Sequence, residues 1–172
     1  MAGDVDHLKT GLALPRLALP ATNGAKIYLA DAPGRSVIFV YPWTGRPGHP
    51  NPPNWDDIPG AHGSTPELEG VRDRIADFAA LKVASFGLSR QGTHWQRELA
   101  KRLRLPFPIL SDAAGRFTEA LALPIFATGG DIYLKRLTLV VSDGRLEKLF
   151  YPVAHPETHA AEVLHWLRAQ AA

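Results

Sequence analysis

The sequence predicts an α/β fold in which helices flank a central mixed β-sheet, with a β-hairpin at the N-terminus. A continuous apolar run of strand length, Ser36–Tyr41, is typical of a strand that is buried on both faces. A helical pattern follows this run and precedes the next apolar run, which indicates a strand–helix–strand unit. Near the C-terminus, two strand-like runs around Asp143-Gly144 indicate a second hairpin, and a last helical pattern follows it.

The first half of the chain contains the predicted N-terminal hairpin, the buried strand and a long loop. Residues 1–16 are expected to be loosely structured, with leucines that lie on the core. The tight-turn signal Asn23-Gly24 joins the first two strands. The predicted elements are a strand at Leu17–Pro20, a return strand at Ala25–Leu29, the strand at Ser36–Tyr41, a loop at residues 42–63 and a helix at about residues 65–81.

The second half alternates strands and helices before it ends in the second hairpin. Its predicted elements are a strand at Lys82–Leu88, a helix at residues 94–104, an extended segment at Leu105–Leu110, a short helix capped by Ser111-Asp112, a loop at Pro124–Asp131, strands at Tyr133–Val141 and Leu146–Tyr151, and a C-terminal helix. The order is therefore β-β-β-α-β-α-(β)-α-β-β-α, and we expect one domain over residues 1–172.

The charge, the apolar runs and the cysteine count of the sequence argue against several classes of function. The formal net charge of +2 is too small to indicate a nucleic-acid partner. No apolar run has the length of a membrane span, and the acidic start Met1–Asp6 lacks the pattern of a signal peptide, so we expect a cytoplasmic protein with no membrane partner. The chain contains no cysteine, which excludes disulfides, thiolate metal sites and a thiol nucleophile.

The loop at residues 42–63 is the most unusual segment of the sequence. Seven of the fifteen prolines lie between Pro42 and Pro66, both included. Proline stiffens a segment that has no regular structure, and long irregular loops in compact domains are often functional. Trp43 and Trp55 are expected either to cover a pocket or to face a partner.

Two start signals mark the helix that follows this loop. Ser64-x-x-Glu67 fits a capping box, and Pro66 fits the first helical turn. A similar box, Thr93-x-x-Gln96, begins the next predicted helix.

The steps Tyr41-Pro42 and Gly63-Ser64-Thr65-Pro66 resemble the peroxiredoxins, above all the bacterioferritin-comigratory or Q-type subgroup, which has a Gly-Cys-Thr-Pro step at this place. The resemblance extends from about residue 15 to residue 170. It implies a thioredoxin-like fold and the reduction of hydrogen peroxide and alkyl hydroperoxides through a sulfenic acid that thiols recycle. Thioredoxin or another thiol would be the reductant, without a cofactor, and the protein would be a monomer or a homodimer.

The resemblance places Ser64 at the position of the peroxide-reducing cysteine. The start of a helix lowers the pKa of a cysteine, whereas a serine hydroxyl there stays neutral and is a poor nucleophile without a base. Serine at a helix start is also a common cap. Arg136, in the step Arg136-Leu137-Thr138, resembles the arginine that faces the family's thiolate and stabilises negative charge.

The resemblance also implies roles for residues around Ser64. Pro42 would shield the nucleophile. The hydroxyl that usually stands three residues before the cysteine is replaced by Ala61, so Thr44 or Thr65 is expected to substitute for it, unless Thr44 only stabilises a turn. The further candidates for substrate binding are Gly63 and His62. The position of the resolving cysteine in some relatives is occupied by Glu69, so a restored thiol at position 64 would depend on an external thiol.

Alternative interpretations remain open from the sequence. The chain is either an engineered Cys-to-Ser form or a natural redox-inactive binding module. A Ser–His hydrolase would use Ser64 with His62 or His49, but no Gly-x-Ser-x-Gly motif surrounds the serine. The pair His155-x-x-x-His159 is expected on a helix surface, so no metal site is predicted.

Overall fold

The computed structural model describes residues 2–171, so Met1 and Ala172 of the expected domain lie outside the described residues. The strands are β1 (Leu19–Pro20), β2 (Lys26–Ile27), β3 (Arg35–Val40), β4 (Val83–Ser89), β5 (Ile109–Ser111), β6 (Ile125–Thr128), β7 (Asp131–Leu134), β8 (Leu137–Ser142) and β9 (Arg145–Phe150). The helices are α1 (Ser64–Asp73), α2 (Ile75–Ala80), α3 (Thr93–Leu103), α4 (Arg116–Leu121) and α5 (Pro156–Ala171).

Five strands form the central sheet in the order β5-β4-β3-β8-β9. Strand β3 pairs parallel with β4, and β4 with β5, whereas β8 runs antiparallel to β3 and β9 antiparallel to β8. The predicted mixed sheet is therefore confirmed, as is the N-terminal hairpin, in which β1 pairs with β2. No helix within residues 2–171 is long and apolar enough to cross a bilayer.

Strand β3 lies at the centre of two hydrophobic layers because its side chains alternate between the two faces of the sheet. Ile38 and Val40 pack with α4 and with the N-terminal segment, including Leu8 and Leu14. Val37 and Phe39 pack on the opposite face with helices α1, α2, α3 and α5. The prediction of a strand buried on both faces is correct. As a result of this packing, the end of β3 lies beside the helices on one face of the sheet.

Three predicted segments differ from the structure. The helix expected at residues 65–81 is divided at Arg74, whose φ of −114° and ψ of 13° end α1 and begin α2. This bend accompanies the edge-to-face packing of Phe78 on Phe39, with ring centroids 6.0 Å apart. The segment expected to be a loop at Pro124–Asp131 forms most of the β6–β7 hairpin instead, since Gly129 and Gly130 supply the left-handed turn.

The strand expected at Tyr133–Val141 is interrupted at residues 135–136, between β7 and β8. The interruption coincides with Arg136, whose guanidinium is buried against α1 rather than exposed at a sheet edge.

The capping predictions for the two later helices had different outcomes. Gly115, rather than Ser111 or Asp112, is the N-cap of α4, but the Asp112 carboxylate accepts hydrogen bonds from the Phe117 and Thr118 amides at 3.0 and 2.8 Å and so satisfies the first turn as predicted. The predicted box at Thr93 is wrong. Gly92 is the N-cap of α3, and the Gln96 side chain donates to Ser89 Oγ and to the Leu110 carbonyl instead.

Candidate active site

Ser64 is the first residue of α1 and is only 4% exposed. The preceding residue, Gly63, is the N-cap and has a φ of +110°, a conformation that strongly favours glycine. A Cβ atom on Gly63 would also lie 2.9 Å from Cγ of Pro156, the first residue of α5. The start of α5 therefore packs directly against the entrance to the helix that carries Ser64.

The prediction that Ser64 caps α1 is wrong. Its Oγ accepts a hydrogen bond from Arg136 Nη2 at 3.0 Å, and no side-chain cap occurs at Gly63 within the described residues. Glu67 does not reach back to the cap either, because its carboxyl binds the same arginine. The capping box fails because Gly63, rather than Ser64, occupies the position before the helix.

Arg136 joins the loop end, α1 and β8. Its Nη1 donates to Glu67 Oε1 at 2.6 Å, and the arginine is 4% exposed. Its Nη2 faces Ser64 Oγ and three carbonyl oxygens, those of Gly60 at 3.3 Å, Ala61 at 3.1 Å and His62 at 3.3 Å. These contacts fix the guanidinium beside Ser64. A buried guanidinium and the first turn of a helix both stabilise negative charge, so the arrangement suits an anion at position 64.

Glu67 belongs to this site, although its place three residues after Ser64 predicted a capping role. The carboxyl is fully buried, and its Oε2 has no hydrogen-bond partner among residues 2–171. Burial raises the pKa of the Glu67 carboxyl, and the charges of Arg136 and His159 oppose that rise. The sequence does contain a signal that Glu67 is part of the site. A charged residue stands three positions after Ser64, beside the buried Leu68 and Val71.

His159 was expected on a helix surface, and that expectation is wrong. It is 1% exposed, because the face of α5 that carries it packs onto the sheet. Its Nε2 lies 2.7 Å from Thr138 Oγ1 and its Nδ1 lies 2.7 Å from Glu162 Oε1. Thr138 is two residues after Arg136 on β8, so α5 is bonded to the strand that presents the arginine. Within residues 2–171, no group of three or more His, Asp or Glu side chains is placed to hold a metal ion.

Ser64 lines a cleft of about 150 Å³ beneath the loop. The lining residues are Trp43, Thr44, Gly45, Asn51, Trp55, Ala61, His62, Gly63, Ser64, Thr65 and Pro66. The structure thus brings Thr44, Thr65 and His62 together with Ser64. Pro42 lies elsewhere, in a neighbouring cavity of about 280 Å³ with Arg90 and Tyr133.

Thr44 both lines the cleft and holds the loop in place. Its Oγ1 donates to Gln91 Oε1 at 3.2 Å, and its carbonyl accepts from Gln91 Nε2 at 3.0 Å and Trp95 Nε1 at 2.8 Å. The residue is 1% exposed. Both sequence interpretations of Thr44, the turn residue and the cleft hydroxyl, are compatible with this position.

The Ser–His arrangement of a hydrolase is not formed. The His62 ring is exposed, with its Nδ1 3.5 Å from Asp56 Oδ1. Among residues 2–171, no histidine ring forms a hydrogen bond to Ser64, and the serine hydroxyl is bound by a guanidinium, which cannot act as a base.

A search of protein families matches residues 9–164 of the chain to the Redoxin family. A putative peroxiredoxin of Mycobacterium tuberculosis is 26% identical over 167 residues, which cover 94% of this chain and 97% of the relative. Peroxiredoxin Bcp of Escherichia coli K12 is 24% identical over 172 residues, which cover 97% of this chain and all of the relative.

Among solved structures, the crystal structure of peroxidoxin BcpB from Mycobacterium tuberculosis superposes with a TM-score of 0.76 at 26% identity. The superposition covers 95% of this chain and 98% of that protein. The expected thioredoxin-like fold of the peroxiredoxins is therefore confirmed.

Proposed function

The chain belongs to the redoxin family, in the peroxiredoxin group, and on that premise we propose that the cleft at Ser64 is a peroxiredoxin active site with serine at the position of the peroxide-reducing cysteine. The family function is an antioxidant one, the reduction of peroxides by thiols. This chain contains no cysteine and is inactive as a thiol peroxidase. The relatives give no better support to a natural binding module.

One observation carries the proposal. Arg136 Nη2 donates to Ser64 Oγ at 3.0 Å, at the first residue of α1, with both residues buried. The two residues are 72 positions apart in the chain. A neutral hydroxyl does not require a buried guanidinium, whereas a thiolate at the same place gains a counter-charge and the amide dipoles of the helix start.

The reaction that this geometry would support with cysteine at position 64 is a displacement at oxygen. The thiolate attacks the terminal oxygen of the hydroperoxide, the S–O bond forms and the O–O bond breaks. The leaving alkoxide takes the proton that the thiol released, which gives an alcohol and a sulfenic acid. Two external thiols then reduce the sulfenic acid to the thiol, with release of water and formation of a disulfide.

The other residues of the cleft are assigned roles by their placement. Arg136 would stabilise the thiolate and the developing negative charge of the leaving oxygen. Thr44, Thr65, His62 and Gly63 line the cleft, and the Thr44 hydroxyl is bound by Gln91. Pro42, which lies in the neighbouring cavity, would act by fixing the chain before Thr44 rather than by contact with the peroxide.

A peroxide substrate and a thiol reductant follow from the family, and thioredoxin is our proposed reductant. Glu69 stands where some relatives have a second cysteine, so an external dithiol is required. We further propose one domain over residues 1–172, a cytoplasmic location, a role in cell redox homeostasis, a monomer or homodimer, and no nucleic-acid or membrane partner.

The variant Ser64→Cys tests the proposal. It should consume hydrogen peroxide with dithiothreitol or a thioredoxin system and should form a sulfenic acid that a dimedone probe traps. Ser85→Cys is the matched control, because it places one buried thiol in β4, away from the start of α1. Peroxide consumption by Ser64→Cys no faster than by Ser85→Cys would refute the proposal.

A further inference from the structure

Two tryptophans of the loop form one wall of the Ser64 cleft. Trp43 and Trp55 both line it, and their rings meet edge to face with centroids 5.4 Å apart. Trp55 is 5% exposed and continues into a cluster with Tyr133 at 5.1 Å and Phe126 at 5.7 Å. Trp43 also approaches Trp95 of α3, at 6.2 Å. The wall is therefore supported from both sides.

The loop that carries these rings is anchored beside each of them. Near Trp43, the carbonyl of Thr44 accepts from Trp95 Nε1 at 2.8 Å, and that of Gly45 accepts from Arg102 Nη2 at 2.9 Å. Near Trp55, the Thr128 hydroxyl donates to the Pro53 carbonyl at 2.7 Å. Because prolines stiffen the segment between these anchors, the wall cannot move outward without breaking several contacts.

The cleft is small for a ligand site. Its volume of about 150 Å³ compares with about 550 Å³ for the open groove on the other side of Arg136. Pockets that accept drug-sized molecules have volumes of roughly 300–1,000 Å³. A hydroperoxide must bring its terminal oxygen to residue 64, so its carbon group must fit between that residue and the tryptophan wall.

On the basis of the proposed function, we infer that the loop limits which peroxides reach residue 64. Small hydroperoxides, such as hydrogen peroxide, enter the cleft, and hydroperoxides with a bulky aromatic group are excluded. Trp43 sets this limit. It is less buried than Trp55 and is not part of the Phe126–Tyr133 cluster, so its removal enlarges the cleft and leaves that cluster in place.

The first test compares two peroxides in the Ser64→Cys background. The second-order rate constant should be larger for hydrogen peroxide than for cumene hydroperoxide, by about 10- to 200-fold, the range that steric pockets achieve. Adding Trp43→Ala should reduce that ratio by about tenfold or more, and Trp43→Phe should give an intermediate ratio. Trp166→Ala is the matched control, because Trp166 packs against Phe150 away from the cleft, and it should leave the ratio unchanged.

A second test does not need peroxidase activity and separates this inference from the proposed function. The thiol introduced at position 64 should react with methyl methanethiosulfonate much faster than with a bulky N-arylmaleimide, after each rate is divided by the rate of free cysteine. Trp43→Ala should raise the maleimide rate selectively. An unchanged ratio in both tests on Trp43→Ala would overturn the inference. Selective labelling without any peroxide turnover would overturn the proposed function alone.

Discussion

Two regions meet at Ser64, and they are built in different ways. The charge cluster, formed by Ser64, Glu67 and Arg136, is almost completely buried at the start of α1 and the start of β8. The loop of residues 42–63 has only one short helical turn, at Trp55–Asp57, and is held by aromatic rings and carbonyl contacts. On the proposed function, the cluster would stabilise charge and the loop would control access to the cleft.

The largest expected effect is a difference in the free energy of unfolding between two variants, each of which breaks an ion pair in one of the two regions. Arg136→Met should lower the free energy of unfolding by about 3–5 kcal/mol, because it leaves the Glu67 carboxyl buried without its partner. Arg102→Met removes the loop-side arginine, which binds Glu98 and the Gly45 carbonyl at a partly exposed site. It should lower the same free energy by about 1 kcal/mol or less.

Urea denaturation of the two variants measures this difference. Similar losses of the free energy of unfolding in the two variants would mean that the buried ion pair contributes no more to stability than the loop-side pair. The double variant Arg136→Met with Glu67→Gln should recover part of the loss, since it removes the buried carboxyl that has lost its partner.

A smaller effect is expected at two glycines that flank the same loop end. Both Gly63 and Gly60 have left-handed φ angles, +110° and +80°, so alanine should cost about 1–2 kcal/mol at each. Only at Gly63 would the new Cβ also overlap a neighbour, Cγ of Pro156 at 2.9 Å, whereas the space around Gly60 is open. Gly63→Ala should therefore lose about 1–3 kcal/mol more than Gly60→Ala in thermal or urea unfolding.

Equal losses at the two glycines would contradict the close contact between α5 and the start of α1. In the Ser64→Cys background, the extra loss should also appear as a slower reaction of the introduced thiol, because α5 would displace the helix start.

The smallest expected effect is a contrast in pH dependence between two carboxyls. Burial raises the pKa of Glu67 above its ordinary value of 4.5, so at pH values just above 4.5 this carboxyl binds protons more strongly in the native state than in the unfolded chain. Stability relative to Glu67→Gln should then fall as the pH rises above 4.5. The hydrogen bond from Arg102 lowers the pKa of Glu98, so stability relative to Glu98→Gln should be fully present above 4.5 and lost as the pH falls below 4.5 through the lowered pKa of the folded state.

Chemical denaturation over the acid and neutral range measures both trends, and the Glu98 effect should stay below about 1 kcal/mol. Two trends of the same sign would show that the regions do not differ in the way their carboxyls are solvated.

The sequence allowed much of the fold and the position of the cluster to be predicted, because both depend on local patterns. The continuous apolar run at Ser36–Tyr41, the Asp143-Gly144 hairpin and the Gly63–Pro66 step are all short-range signals. They place residue 64 at a helix start, and the family resemblance links it to Arg136.

The errors arose where a local pattern has more than one structural outcome. Serine and glutamate three positions apart fit a capping box and also fit one side of a helix, and the left-handed Gly63 decides between these outcomes. His159 is buried because α5 packs onto β8, which its spacing from His155 does not indicate. The contacts of Trp43 and Trp55 join distant segments, so the sequence could not show that they close the cleft over Ser64.

On the proposed function, the start of α1 and the Arg136 guanidinium together form a site for a sulfur anion. The most direct test is the pKa of the thiol that Ser64→Cys introduces, followed by the ultraviolet absorbance of the thiolate, with and without Arg136→Met. The pKa of the introduced thiol should lie within about 3.5–7.5, well below the ordinary value of about 8.5, and should rise clearly when the guanidinium is removed. A pKa at or above about 8.5 that Arg136→Met does not change would contradict this prediction.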